Sequence, residues 1–90
     1  MKEDKISELR KRIDLLDRII LRLLEERLRL AKKIIKTKIK RGLEITDRKR
    51  EKEIIENLKK ATKNKILKKY LSQIYKIVFK ISKMQRSQKR

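Results

Sequence analysis

The chain has 90 residues, with 31 Lys or Arg against 12 Asp or Glu, a formal net charge of +19, and neither cysteine nor histidine. This composition excludes disulfides, thiol nucleophiles, zinc sites of the usual kind and histidine acid–base chemistry. No run approaches the ~18 apolar residues of a membrane span, and Met1–Lys5 does not lead into a signal-peptide apolar region.

With no proline and a single glycine, Gly42, long uninterrupted helices are the natural outcome, and the fold class is all-α. The aromatics are only Tyr70, Tyr75 and Phe79, so the core is Ile and Leu. The first helix is predicted from about residue 4, with Asp4 as its cap, to about residue 40. Along it Ile6, Leu9, Ile13, Leu16, Ile20, Leu23, Leu30 and Ile34 recur in steps of three and four, which is one apolar stripe. Arg27 falls on that stripe. A charge is costly to bury unless it is paired. Arg27 therefore snorkels to water, pairs with a carboxylate in the core, or holds an anionic ligand. Lys38 lies eleven residues on, about 20° around the helix from Arg27.

A helix of about 37 residues is about 55 Å long, whereas a compact 90-residue monomer is about 30 Å across. The overhanging stripe needs a cover. The simplest cover is a two-fold homodimer with the two long helices packed together. Arg10 precedes Arg27 by seventeen residues, about 25 Å along the axis. An antiparallel partner helix can bring its Arg10 to Arg27; otherwise Arg10 is one solvated arginine beside Lys11 and Arg12.

Residues 41–46 are predicted as a loop, with Gly42 ending the first helix and Thr46 or Asp47 capping the second. The second helix covers about 47–62, with Ile54, Ile55, Leu58 and Ala61 as its apolar side. Asp47 and Glu51 are four apart and face the same way. Capping and the helix dipole account for acids at this place; beside a cationic pocket they can instead accept hydrogen bonds from a hydroxyl. The third helix covers about 66–86, with Leu67, Leu71, Ile74, Val78 and Ile81 inward. Ser82, Gln85 and Arg86 follow at its end, where polar residues ordinarily emerge into water, and 87–90 is a polar tail. The whole of 1–90 reads as one domain, with no internal repeat and no room for a further catalytic or regulatory domain.

Four segments carry a family resemblance. Leu9-Arg10-Lys11-Arg12-Ile13-Asp14-Leu15-Leu16-Asp17 resembles the opening L-R-x-x-I-D-x-L-D of the all-helical (AroQ-type) chorismate mutases. Leu24-Glu25-Glu26-Arg27-Leu28-Arg29-Leu30-Ala31 is similar to that family's L-x-x-R-x-x-L-A, Ile34-Ile35-Lys36-Thr37-Lys38 to its I-x-x-x-K, and Asp47-Arg48-Lys49-Arg50-Glu51 to its D-x-x-R-E. The four stand in order with family-like spacing, and the resemblance covers about residues 6–86.

The resemblance implies an intertwined homodimer of three-helix subunits that rearranges chorismate to prephenate in phenylalanine and tyrosine biosynthesis. It implies that Arg27 and Lys38 bind substrate from one subunit while Arg10 reaches across from the other. Arg50 adds cationic character, Glu51 accepts a hydrogen bond from the substrate hydroxyl, Asp47 lies beside it, and Ser82 matches the family's helix-three serine. The family's glutamine stands four residues after that serine, on the ether oxygen; here Arg86 has that place and Gln85 is three after. Residues three and four apart straddle one helix face, so Gln85 or Arg86 takes the role. The implied Claisen rearrangement forms no bond to protein and moves no proton, so the reaction needs no cofactor, metal, His or Cys. A cysteine-free sequence is compatible with a cytoplasmic location. Three alternatives stay open: an isochorismate–pyruvate lyase of the same fold, a basic helical dimer binding nucleic acid, and a structural dimer with no ligand. The charge alone also allows an acidic partner protein.

Overall fold

A computed structural model describes residues 2–85, with side chains from residue 4 onward. Among the described residues there are three helices and no strand: α1 Lys2–Arg41, α2 Arg48–Ala61 and α3 Lys65–Met84. The tail 87–90 lies outside them. The predicted loops and helices are in place, with ends that shift by a few residues. Asp4 lies inside α1, since no Gly or Pro in Lys2–Asp4 opposes helical dihedrals. Asp47 and Thr62 are caps of α2 rather than members of it. Asn64 caps α3, its side chain accepting from the Leu67 N–H at 2.9 Å. The α2–α3 turn is also tied by Asn64 N–H donating to Thr62 Oγ1 at 3.1 Å.

The chain forms two compact units, Met1–Leu30 and Ala31–Arg90. The described residues of the first are all helical, and a lone helix cannot bury its own stripe. Ile6, Leu9, Ile13, Leu16, Ile20 and Leu23 are accordingly 45–64 % exposed.

The second unit holds the end of α1 with α2 and α3, and α2 packs against α3. Its buried residues, among those described, are Ile35, Leu71, Val78, Phe79 and Ser82. Phe79 meets Tyr75 edge to face, with ring centroids 5.8 Å apart. On α2, Ile54, Ile55 and Leu58 are half-buried while Ala61 is exposed. The inward line expected for α3 is only partly right. Leu71 and Val78 are buried, but Leu67, Ile74 and Ile81 are each more than 40 % exposed. The reason is that α3 is apolar around a wide arc. Tyr70, Ile74, Ile77 and Ile81 point roughly 110° away from Leu71, Val78, Phe79 and Ser82 at 3.6 residues per turn. One neighbouring helix covers only the second group.

Candidate active site

Lys38 is held where α1 ends. Gly42 has φ +70°, the left-handed conformation that glycine enters without a Cβ penalty. Gly42 N–H donates to the Ile39 carbonyl at 3.1 Å and Leu43 N–H to the Lys38 carbonyl at 2.8 Å. This pair of bonds is a Schellman motif. It turns the chain so that the Lys38 ammonium reaches the Ile45 carbonyl, to which it donates at 3.2 Å. Lys38 is thus tied to the loop at both ends of the residue. An ammonium has three donors, so the others remain for a ligand.

Opposite the end of α1, α2 begins. Asp47 is its N-cap: Oδ1 accepts from the Arg50 N–H at 3.0 Å. Lys38, Leu43, Glu44, Thr46, Asp47 and Arg48 line a cleft of about 720 Å3. Two cations and two carboxylates around one space suit a ligand that carries both acid groups and a hydroxyl. Arg50 is exposed and its guanidinium donates to Glu53 Oε1 at 2.6 Å, so it is occupied along the surface of α2.

Glu51 lies in the first turn of α2 and is only partly exposed. Its Oε2 pairs with Lys83 Nζ of α3 at 2.7 Å. The neighbouring Ser82 is buried at 6 % exposure, against the expectation that it emerges into water. It shares the covered side of α3 with Leu71 and Val78, and its Oγ–H donates to the Val78 carbonyl at 2.8 Å. Gln85 Nε2 donates back to the Ser82 carbonyl at 3.3 Å, which satisfies one of the open carbonyls at a helix end. Arg86 lies outside the described residues. In the unit Met1–Leu30, Arg10 is exposed and Arg27 is half-buried.

Lys38 and Asp47 are therefore brought to one cleft, and Glu51 to the residue after Ser82. Arg48, Glu44 and Lys83 were not singled out by sequence reasoning. Arg48 sits inside the Asp47–Glu51 segment and was within reach of it. Lys83 was not, since its pairing with Glu51 depends on how α3 packs on α2.

The chain matches the family described as chorismate mutase type II over residues 9–87. It belongs to that family. As a type II member it is 47% identical over 60 residues to the bifunctional chorismate mutase/prephenate dehydratase of Aquifex aeolicus, an overlap of 67% of this chain and 17% of that protein. It is 42% identical over 60 residues to the chorismate mutase of Methanocaldococcus jannaschii, again 67% of this chain and 61% of that protein. The chain thus spans less than two thirds of the length of these relatives. Among solved structures, chorismate mutase (form II) from Thermus thermophilus is 33% identical, with a TM-score of 0.86 over 96% of this chain and 99% of that one. The type II family accounts for the three-helix architecture found here. No described helix is long and apolar enough to cross a membrane.

Proposed function

We propose that this chain is a chorismate mutase, an isomerase that converts chorismate to prephenate by an intramolecular Claisen rearrangement and acts as a homodimer. The observation that carries the reading is the 33% identity and 0.86 TM-score shared with a solved chorismate mutase over nearly the full length of both chains. The lyase and nucleic-acid readings have no comparable support. A cytoplasmic location belongs to the same proposal, and the absence of cysteine is compatible with it.

Chorismate has two carboxylates, a hydroxyl and an ether. In the rearrangement the ether C–O bond breaks as a C–C bond forms, within one molecule and without an external proton. The protein's task is to hold the reactive conformer and to stabilise the charge that develops on the ether oxygen. Arg27 and Arg10 of the partner subunit bind carboxylates, for which the guanidinium fork is suited. Lys38, with Gln85 or Arg86, meets the ether oxygen, whose negative charge is larger in the transition state than in the ground state. Glu51 accepts from the substrate hydroxyl, with Asp47, Arg50 and Ser82 completing the pocket. Support for these roles comes from the four matching segments of sequence and, for Lys38 and Asp47, from their shared cleft.

The test is turnover by Lys38→Ala. Loss of one donor to a developing oxyanion lowers kcat by ~10²–10³. A folded Lys38→Ala variant within threefold of the parent removes Lys38 from this role.

A further inference from the structure

Beyond the residues matched to the family's motifs, one contact bears on the proposed reaction. Arg29–Glu26 and Arg50–Glu53 are ion pairs along single helices, three residues apart, with side chains more than half exposed. Pairs of that kind hold little in place. Lys83–Glu51 differs in burial and in what it connects. It joins α3 to α2, its side chains are 33% and 26% exposed, and its 2.7 Å separation is that of a charge-assisted hydrogen bond. Each partner stands on an ordered piece of backbone. The Glu51 N–H donates to the Asp47 carbonyl at 3.0 Å, in the first turn of α2. Lys83 follows buried Ser82 in the last turn of α3, where Ser82 and Gln85 each bond back to the helix.

A glutamate at a helix start has three side-chain torsions and samples several rotamers unless a partner selects one. Its carboxylate has two acceptor oxygens. Lys83 takes Oε2, and among the described residues nothing takes Oε1.

We propose that Lys83 is a positioning residue for Glu51. By holding Oε2 it fixes the direction of the carboxylate and leaves Oε1 as the oxygen that accepts from the substrate hydroxyl. This rests on the chorismate reading of the site. Lys83 has no contact with the reacting atoms in this account and acts only through Glu51.

The experiment compares the full chain with Lys83→Met, Lys83→Gln, Lys83→Arg, Glu51→Gln and the Glu51→Gln/Lys83→Met double variant. Each is checked for helicity and assembly, then assayed on chorismate with kcat and KM separated. A lost positioning contact lowers kcat by about 10- to 100-fold in Lys83→Met and Lys83→Gln, with KM changed far less. Lys83→Arg, which keeps a cationic donor, recovers activity to within about threefold. In the Glu51→Gln background, Lys83→Met causes no further loss, because the group it acts through is already altered. A folded Lys83→Met variant with parental kcat overturns the inference, as does an equal loss in the Glu51→Gln background. These outcomes require a parent that turns over chorismate; a folded parent with no turnover overturns the chorismate reading and the positioning role together.

Discussion

At the scale of single residues, Asp47 carries two accounts that one pair of variants separates. Its Oδ1 caps α2 through the Arg50 N–H, and it also lines the cleft with Lys38. Asp47→Ala removes the cap and lowers stability by about 1 kcal/mol, read as a lower denaturation midpoint. Asp47→Asn keeps a capping oxygen, since Asn and Asp cap almost equally well, but loses the charge. Parental stability with reduced turnover in Asp47→Asn assigns the carboxylate to the site; parental stability and turnover leave it a cap alone. Ser82 is the residue for which ordinary sequence statistics pointed the wrong way. A serine near a helix end is usually solvated, yet here it is buried and bonded to Val78.

At the scale of elements, the turn after α1 links a single backbone dihedral to the proposed chemistry. An added Cβ at Gly42 meets nothing within 4 Å, so space does not forbid alanine there, but φ is +70°. The left-handed conformation costs a non-glycine residue about 1–2 kcal/mol. Gly42→Ala is expected to lower stability by that amount in chemical denaturation. Because the same turn bonds the Lys38 carbonyl to Leu43, the variant is also expected to lose turnover beyond what its folded fraction explains. The helices themselves were legible in the sequence for physical reasons. A 3–4 apolar period with no Gly or Pro specifies α1, Gly42 specifies its stop, and Asp47 is a cap residue by type, whereas the Asn64 cap of α3 was not singled out. The covered side of α3 was not legible, because its apolar arc is wider than one neighbour can cover, and periodicity does not say which part α2 takes. The Glu51–Lys83 pair lies between elements and leaves no periodic trace. Positions 27, 38, 47 and 51 stand out in the sequence through the four matched segments, and of these Lys38 and Asp47 line one cleft.

At the scale of the whole molecule, burial bears on the proposed homodimer and charge on the proposed ligand. The described buried apolar residues are Ile35, Leu71, Val78 and Phe79. That is a small core for a chain of 90 residues, a size at which a single chain's own core is marginal. The exposed stripe on α1 supplies the missing apolar surface if a second copy covers it, which is the proposed homodimer. Replacing Leu16 by Glu is expected to shift the chain from dimer to monomer in sedimentation. If each site draws Arg10 from one subunit and Arg27 from the other, Arg10→Ala and Arg27→Ala are each inactive. A re-equilibrated equal mixture then recovers about a quarter of parental activity, since half the dimers have one intact site. No recovery places both arginines in one subunit's site. The charge is also uneven: residues 1–30 have nine Lys or Arg and seven Asp or Glu, and residues 31–90 have 22 and five. Most of the positive field therefore belongs to the segment that contains Lys38 and the cleft. Such a field speeds encounter with a dianion and is screened by salt, so kcat/KM is expected to fall with ionic strength while kcat stays nearly constant.

The most direct test of the central claim is to mix the purified chain with chorismate, follow its loss by ultraviolet absorbance, identify the product, and repeat the assay with Arg27→Ala. The account predicts rapid formation of prephenate by the parent and its near abolition in a folded Arg27→Ala variant. A folded parent that leaves chorismate unchanged, or an Arg27→Ala variant with parental turnover, contradicts it.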